Sequence, residues 1–386
     1  MKRTILIIVV PVAGLIFYLM NNTSKDMKNI NEYLKSEVEN KKSPSIQYAF
    51  FDLDSSIYEF SYGLRDISSE DQVNQLTTYN IFSVTKTITA LAVLQLAESG
   101  RIGLKQPVRS YLPDFKYYDE NITVEQLLTH TAGLPNPLPL KWIHLAEEHD
   151  HFKRDAFFEK IFRENSKMAF APGTKFKYSN LGYVILGRLI EKVSRATYED
   201  YVKQHILQPL KIDPATLGFT INPGLHAKGY HKYWSVSNAA LGFLIDKGKF
   251  MEPKVGGWKP FRNFYVNGTP YGGMTGSRVG LMKYGQALLK KNSVLISEEY
   301  KNILLREYVI GNKPTGMSMS WFTGDLKGNR YLAHAGGGGG YYVELRIYPD
   351  LGVGSVIMLN RTGMSDERML DKTDSFFIRD NETLNN

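Results

Sequence analysis

The sequence contains no cysteine, and this absence restricts its chemistry. Disulfides, thiolate zinc sites, iron–sulfur clusters and cysteine nucleophiles are all excluded. Residues of one charge sign are not clustered in the sequence either. The 47 basic and 39 acidic residues give a net charge of +8 that is spread along 386 residues without a block of like charges. We therefore expect no nucleic-acid partner, and a globular chain that works with oxygen and nitrogen chemistry.

Long apolar runs are scarce, and the clearest one is at the N-terminus. Residues 4–20 carry no formal charge and follow Lys2 and Arg3, a pattern typical of an export signal. Residues 17–22 lack a small-x-small cleavage site, which favours an uncleaved anchor of marginal length. We expect residues 1–24 to be a signal anchor or signal peptide. The rest of the chain would then lie outside the cytoplasm, membrane-anchored through residues 4–20 at the periplasm or cell surface, or secreted if the leader is cleaved.

Strand patterns occur near both ends of the chain. After a charged segment, residues 25–42, which we interpret as a spacer, residues 46–53 and 57–62 predict a hairpin. Residues 341–348 and 353–359 predict a second one. Strands from both ends suggest one antiparallel sheet that is built from the termini.

The middle of the chain has a more helical pattern. The sequence predicts helices over residues 83–99, 181–194, 280–289 and 366–377. The expected fold class is α+β, with the antiparallel sheet flanked by helices and a mainly helical subdomain inserted. We expect one domain over residues 43–380, with residues 43–100 and 276–380 as its α/β part and residues 101–275 as the helical subdomain.

The strongest chemical signal is the sequence SVTK, from Ser83 to Lys86, at the start of the first predicted helix. Residues three apart lie on one face of a helix, so the amine of Lys86 can reach the hydroxyl of Ser83. A serine hydroxyl is a poor nucleophile until a base takes its proton, and a lysine can be that base only if its pKa is lowered. If nothing else matched, a capping serine and a solvated lysine would be the better interpretation.

Two further elements fit the same chemistry. Tyr-x-Asn occurs at Tyr178, Tyr265 and Tyr300, and only Tyr178 follows a turn and directly precedes a predicted helix. Its phenol is a candidate base, and Asn180 is a candidate hydrogen-bonding clamp. The third element is His334-Ala335-Gly336, ahead of the C-terminal hairpin, where His334 could orient Tyr178 or donate to a leaving group and glycines allow close approach of the substrate.

These elements, in this order, resemble the serine β-lactamase and penicillin-binding-protein superfamily. Three longer segments are similar to its class C β-lactamase-like branch: FSVTK (82–86), LLTHTAGLP (127–135) and PGTKFKYSNLGY (172–183). The resemblance covers about residues 43–378 and implies a serine hydrolase that needs no metal and no cofactor.

Position by position, the resemblance implies a set of roles. Ser83 would be the acylated nucleophile, Lys86 its neutralised partner, Tyr178 the general base and Asn180 a substrate-positioning side chain. The backbone N–H groups of Ser83 and Gly337 would form the oxyanion hole, with Gly336 as a neighbouring substrate-binding residue.

The sequence departs from the β-lactamases of this branch at the third motif. It has no Lys-Thr-Gly, and His334-Ala335-Gly336 resembles the esterases and D-amino-acid peptidases of the branch instead. The missing lysine argues against efficient antibiotic hydrolysis. We therefore expect an acyl-enzyme hydrolase of esters, amides or D-amino-acid peptides, acting on a small molecule or a peptide that could be derived from the cell wall.

Other interpretations have weaker support. The fold can persist without activity, so a catalytically silent, penicillin-binding-like envelope protein is the main alternative. The histidines between His144 and His151 raise the possibility of a metal site, but their spacing does not fit a known zinc motif and the stretch is polar. The glycine run at 336–340 lacks the spacing of a nucleotide-binding loop and is expected to loosen the strand that carries it.

Overall fold

The computed structural model describes residues 30–119, 121–235, 245–362 and 369–380. The predicted leader, residues 1–24, lies outside these ranges. Within them, no helix is both long enough and apolar enough to span a bilayer.

A seven-stranded sheet organises the fold, and its neighbouring strands are all antiparallel. The N-terminal strand β1 lies in the sheet between β2 and the C-terminal strand β16, as predicted from the strand patterns at the two ends. The order across the sheet is β13 (Phe322–Leu326), β14 (Asn329–Gly338), β15 (Tyr341–Tyr348), β16 (Val353–Leu359), β1 (Ser45–Phe51), β2 (Ser56–Asp66) and β3 (Asp71–Gln72).

Both faces of the sheet are covered, which explains why β1 is buried along its whole length. Alternate residues of a strand point to opposite faces. Tyr48 and Phe50 belong to a smaller apolar cluster on one face, whereas Ala49 and Phe51 belong to the main core on the other. The sheet is therefore the middle layer between two sets of helices.

The helices are distributed along the whole described chain. In chain order they are α1 (residues 30–39), α2 (Thr85–Glu98), α3 (Val124–Leu128), α4 (Arg154–Glu164), α5 (Asn180–Ser194), α6 (Tyr198–Val202), α7 (Lys247–Phe250), α8 (Thr269–Gly272), α9 (Arg278–Leu289), α10 (Glu298–Leu305) and α11 (Met369–Asp374).

Helix α1 falls within the segment that we interpreted as a spacer, residues 25–42. Its side chains Ile30 and Leu34 are fully buried in the smaller cluster, together with Met369 and Leu370 of α11. Residues 30–39 therefore pack onto the outer face of the sheet, because a helix with buried apolar side chains needs a surface to cover them.

Helix α2 is the centre of the main core. Twelve of its 14 residues are buried, including three threonines and one lysine near its N-terminus, so it is covered on every side, as an internal helix is. It packs on α5 and α8. The helix ends just before Gly100, as the sequence predicts. Gly100 has a φ of +72°, a backbone conformation that suits glycine and ends a helix.

Short strands add to the helices in the middle of the chain. β5 (Ile143–Leu145) pairs with β9 (Phe264–Val266), and β7 (Tyr230–Lys232) pairs with β8 (Trp258–Pro260). A three-stranded sheet contains β4 (Thr78–Asn80), β10 (Thr275–Ser277) and β6 (Leu217–Gly218). The division into an α/β part and a helical subdomain stays a prediction.

Candidate active site

Three elements bring the predicted site residues together. Ser83 lies in a 3-10 turn, Phe82–Val84, which leads directly into α2. Asn180 is the first residue of α5, so Tyr178 lies at the loop-to-helix junction where the sequence placed it. Strand β14 carries His334 and packs against the turn that holds Ser83.

Lys86 contacts the hydroxyl of Ser83. Its Nζ is 3.0 Å from Ser83 Oγ and donates a second hydrogen bond of 2.6 Å to the backbone carbonyl of Tyr271. The carbonyl comes from α8, which packs across α2. This second contact fixes the amine beside the nucleophile, because a lysine side chain is otherwise free to rotate.

The surroundings of Lys86 are apolar and aromatic. The side chain is fully buried, and its Nζ lies 4.9, 5.6 and 5.3 Å from the ring centroids of Tyr178, Tyr183 and Tyr271. Burial lowers the pKa of Lys86 well below its ordinary value, because the charged form loses its hydration. Burial thus favours the neutral amine, which is the form that can accept a proton.

Tyr178 is held on one side by a histidine. The ring of His130 lies 4.3 Å from the Tyr178 ring, and its Nδ1 accepts a 3.1 Å hydrogen bond from the backbone N–H of Ser179. Burial raises the pKa of the Tyr178 phenol, and its interaction with Ser83 opposes that shift. The phenol therefore holds its proton more firmly than in water.

His334 lies on the other side of Tyr178. The two ring centroids are 6.2 Å apart, and Nδ1 of His334 is 2.9 Å from the carbonyl oxygen of Ala335. That contact makes Nδ1 the protonated nitrogen, since a carbonyl only accepts. Burial, assisted by Lys86, lowers the pKa of His334 to about 3, so the ring is neutral at physiological pH.

Gly336 allows β14 to approach the nucleophile. A Cβ at this position would lie 2.1 Å from the carbonyl oxygen of Ile81 and 2.8 Å from the backbone nitrogen of Ser83. No side chain fits at such distances. The glycine of the third motif is therefore required by close packing of two backbones.

The glycine run does not loosen the strand, contrary to our expectation. β14 continues to Gly338, and the turn that follows needs glycine. Gly340 has a φ of +95°, and a Cβ there would lie 2.3 Å from the backbone of Gly229. The run thus supplies the conformations that a tight, closely packed turn requires.

Asn180 is held by a partner that the motif does not include. Its backbone N–H and its Nδ2 both donate to Oδ1 of Asn136, at 3.0 and 3.2 Å. The side chain is 6% exposed and lines the cavity beside Ser83. Asn136 therefore fixes the orientation of the Asn180 amide.

A cavity of about 100 Å³ opens beside Ser83. The strand edge at Gly337 forms one of its walls, and Trp142 and Phe264, on or next to the paired strands β5 and β9, form another. Ser83 and Asn180 supply the polar side chains that were predicted for the site.

Sequence reasoning missed three contributors to this site. Tyr271 contributes its backbone carbonyl, and the sequence cannot indicate this role because every residue type has a backbone carbonyl. Asn136 lies in a proline-rich loop without a motif of its own. The ring of His130 supports Tyr178, and the place of this histidine within the LLTHTAGLP segment was the available signal.

The two other Tyr-x-Asn triplets have different environments. Tyr300 donates a hydrogen bond of 3.2 Å to the carbonyl of Ala97. Tyr265 stacks on His149, with ring centroids 3.9 Å apart. His149 in turn shares a 2.9 Å hydrogen bond with His144, so the histidine-rich stretch forms an aromatic stack.

The comparisons with known proteins show the family and the fold of the chain. The model of the Beta-lactamase family matches residues 30–376, so the chain belongs to that family. By structure, it is similar to a class C beta-lactamase, with a TM-score of 0.70, 19% identity and coverage of 92% of this chain and 97% of that one. It is also similar to the octameric penicillin-binding protein homologue from Pyrococcus abyssi, with a TM-score of 0.73, 23% identity and coverage of 88% and 74%. These likenesses confirm the predicted fold class.

Two curated relatives match part of the chain by sequence. Protein flp of Staphylococcus aureus (strain MW2) is 33% identical over 182 residues, which are 44% of this chain and 34% of that protein. Penicillin-binding protein 4* of Bacillus subtilis (strain 168) is 29% identical over 153 residues, 40% of this chain and 33% of that protein. The chain thus matches about a third of the length of these relatives.

Proposed function

We propose that the protein is a serine hydrolase that forms an acyl-enzyme on Ser83. The observation that carries this proposal is the contact between the buried amine of Lys86 and the hydroxyl of Ser83, 3.0 Å apart beside a cavity. A purely structural lysine would be expected to keep its charge and find a carboxylate.

The first step is attack by Ser83 on the substrate carbonyl. The Oγ–carbon bond forms, the carbonyl π bond opens, and the serine proton passes to Lys86, which is neutral before the reaction. We infer this role for Lys86 rather than for Tyr178, because burial lowers the pKa of the amine and raises that of the phenol. The carbonyl π bond then re-forms as the bond to the leaving group breaks, and Tyr178 donates its proton to the leaving group and recovers one from Lys86.

The charge on the carbonyl oxygen needs donors. We propose the backbone N–H groups of Ser83 and Gly337, which both line the cavity. Asn180 would position the substrate, and His334 would hold Tyr178 in place through ring contact. Water then attacks the acyl carbon and gives a proton to Lys86. The bond between this carbon and Ser83 Oγ breaks, the acid is released, and Oγ takes the proton back from Lys86.

We propose that the substrate is an ester, an amide or a D-amino-acid peptide and that the domain works outside the cytoplasm, membrane-anchored through residues 4–20 or secreted. The charge pattern of the leader supports the location. His334 in place of a Lys-Thr-Gly lysine supports the ester and peptide classes over the β-lactams.

The test is intact-mass analysis after incubation with a fluorophosphonate, p-nitrophenyl acetate, a penicillin and a D-alanyl peptide. We expect a covalent adduct or turnover in the wild-type protein that Ser83→Ala abolishes. Folded wild-type protein that reacts with none of these reagents would instead support a catalytically silent binding protein.

A further inference from the structure

The hairpin formed by β7 and β8 presents a tryptophan to solvent. Trp234 follows β7 by two residues and is 85% exposed, whereas Trp142, Trp258 and Trp321 are 4%, 8% and 0% exposed. Its ring meets the ring of Tyr233 edge to face, with centroids 5.0 Å apart. Tryptophans in such a position are typical of surfaces that bind a partner or a membrane interface, because one end of the ring is apolar and the other is polar.

Backbone hydrogen bonds fix this tryptophan at the end of the hairpin. The strands β7 and β8 pair over three residues, and beyond them the N–H of Tyr233 donates to the carbonyl of Gly257 at 2.9 Å. Val255 and Trp258 exchange backbone hydrogen bonds of 2.9 and 3.0 Å, which close the turn ahead of β8. Trp234 is therefore attached to an ordered backbone, and its exposure is a property of the folded domain.

The stretch that contains the hairpin is strongly basic. Residues 228–262 include seven lysines and arginines and two acidic residues, so they contribute +5 to the net charge of +8. Both acids are engaged, since Glu252 binds Lys228 at 2.7 Å and Asp246 caps α7 by accepting a 3.1 Å hydrogen bond from the N–H of Lys249. The basic residues alternate with neutral ones, so the sequence shows no block of like charges, but the fold gathers their charge in one region.

Three lysines of the hairpin and its turn form no ion pair within the described parts of the chain: Lys232, Lys254 and Lys259. The ammonium of Lys254 lies 4.9 Å from the ring centroid of Tyr233, next to the exposed aromatic pair. Burial lowers the pKa of Lys232, and the neighbouring cations Arg361 and Lys42 lower it further. Like charges that are held together in this way favour the approach of anionic groups.

An exposed tryptophan beside lysines fits the surface of an anionic lipid bilayer. Indole rings are enriched at the boundary between headgroups and hydrocarbon, and lysines near them are attracted to anionic lipids. A standard protein interface needs roughly 800 Å² from each partner, whereas two aromatic side chains supply at most about 500 Å². A soluble polyanion would use the lysines and leave the apolar part of the indole in water.

We propose that the end of the β7–β8 hairpin binds the surface of an anionic lipid bilayer, with Trp234 entering the headgroup region and Lys254 beside it at the lipid phosphates. The other lysines of the region add to the attraction. This contact goes beyond the location proposed above, because the folded domain makes it without the predicted leader, residues 4–20. It is also independent of the chemistry at Ser83.

The contact would hold the candidate active site close to the membrane surface. Phe261, the residue after β8, lines the cavity beside Ser83. Only four residues separate it from Gly257, which bonds to Tyr233 at the end of the hairpin, and four residues span at most about 14 Å of extended chain. A substrate presented at the bilayer surface would therefore be within reach of the cavity.

The fluorescence of Trp234 tests the contact directly. The full chain is added to vesicles of phosphatidylcholine alone and to vesicles with roughly 30% phosphatidylglycerol, both with brominated acyl chains that quench a nearby indole. The predicted leader contains no tryptophan and meets both membranes, and Trp234→Phe gives the background of the three buried tryptophans. We expect the emission of Trp234 to fall at least about twofold on the anionic vesicles alone and to recover in about 0.5 M salt, which screens the lysines. No quenching on the anionic vesicles, or equal quenching on both, overturns the proposal.

A pair of charge reversals connects the quenching to the hairpin. Lys254→Glu reverses the charge beside Tyr233, and Lys313→Glu makes the same change on the exposed strand β12 (Lys313–Pro314), which pairs with β11 (Val309–Ile310). One basic residue near an anionic surface changes binding by about fivefold. We therefore expect Lys254→Glu to lower the ratio of quenched to unquenched Trp234 at least about fivefold, and Lys313→Glu to leave it unchanged. Equal effects of the two variants contradict the proposal.

The remaining outcomes are also decisive. If polyphosphate shields Trp234 from acrylamide while anionic vesicles do not quench it, the surface binds a soluble polyanion and the bilayer contact is refuted. Circular dichroism shows whether each variant is folded, and the wild-type comparison of the two vesicle types decides even if Lys254→Glu is not. Fluorophosphonate labelling of Ser83 without vesicles tests the hydrolase function alone, so either proposal can fail while the other stands.

Discussion

Lys86→Met should change how the stability of the protein depends on pH. Burial lowers the pKa of Lys86 in the folded state and so favours its neutral form, whereas in the unfolded chain the side chain is protonated up to its ordinary pKa of about 10.4. Between its lowered folded pKa and that value, unfolding takes up one proton at this site. The free energy of unfolding of the wild-type protein therefore rises with pH by about 1.4 kcal/mol per pH unit from this residue alone.

The variant lacks this contribution, because methionine does not titrate. It also leaves the carbonyl of Tyr271 without its 2.6 Å hydrogen bond, a cost that does not depend on pH. The difference in unfolding free energy, wild type minus variant, should therefore become more positive as the pH rises, by about 1.4 kcal/mol per pH unit between the lowered folded pKa of Lys86 and its ordinary value. Other groups titrate in both proteins and cancel in the difference.

Urea unfolding followed by circular dichroism at pH 7, 8 and 9 measures this slope. Ser83→Ala is the matched control, since it alters the same contact without removing a titrating group, and its profile should be parallel to that of the wild type. If Lys86→Met also runs parallel to the wild type, Lys86 is charged in the folded protein. The proposed role of its amine as the base would then be refuted.

Three further results are expected. Tyr178→Phe should lower the rate of Ser83 acylation, measured by stopped-flow with an ester, by about 100-fold or more, and a wild-type rate would remove Tyr178 from the proton path. Gly336→Ala should lower kcat/KM at least about tenfold, because its Cβ would lie 2.1 Å from a backbone oxygen. Gly337→Ala, whose Cβ would have its nearest neighbours at 3.7 Å, should have a smaller effect, and equal losses would contradict the close-packing argument. Asp374→Ala should lower the free energy of unfolding by about 3–5 kcal/mol in urea titrations, because this buried side chain accepts hydrogen bonds from two tyrosines and a serine near Arg346. A loss below about 1 kcal/mol would show that the buried network is not needed for stability.

The parts of the fold that local patterns could predict are those with periodic burial and clear turns. Strands β15 and β16 have the predicted ends, since two runs rich in strand-forming residues are separated by a Pro-Asp-Leu-Gly turn. Helix α2 begins at Thr85 rather than Ser83, because Phe82 takes a φ of +43° and tightens the chain into a 3-10 turn. Tertiary packing imposes that strained conformation, and no residue type in the sequence predicts it.

The site was predictable where it consists of side chains in motifs. Ser83, Lys86 and Tyr178 were found because their chemistry restricts residue type. The carbonyl of Tyr271 could not be found, because every residue has one. The pairing of β5 with β9 was equally hidden, since three-residue strands more than 100 positions apart carry no periodic signal.

The place of β1 in the sheet has a consequence for how the protein is made. Ile46 is paired with Leu359, so the strand synthesised first finds one of its two neighbours only after more than 300 further residues have emerged. Contacts of such sequence separation are slow to form. A growing chain therefore holds Ser83 long before β14 and His334 exist to complete its surroundings. The candidate site is therefore complete only when the last strands have docked, and premature termination leaves one edge of the buried strand β1 unpaired, which favours aggregation.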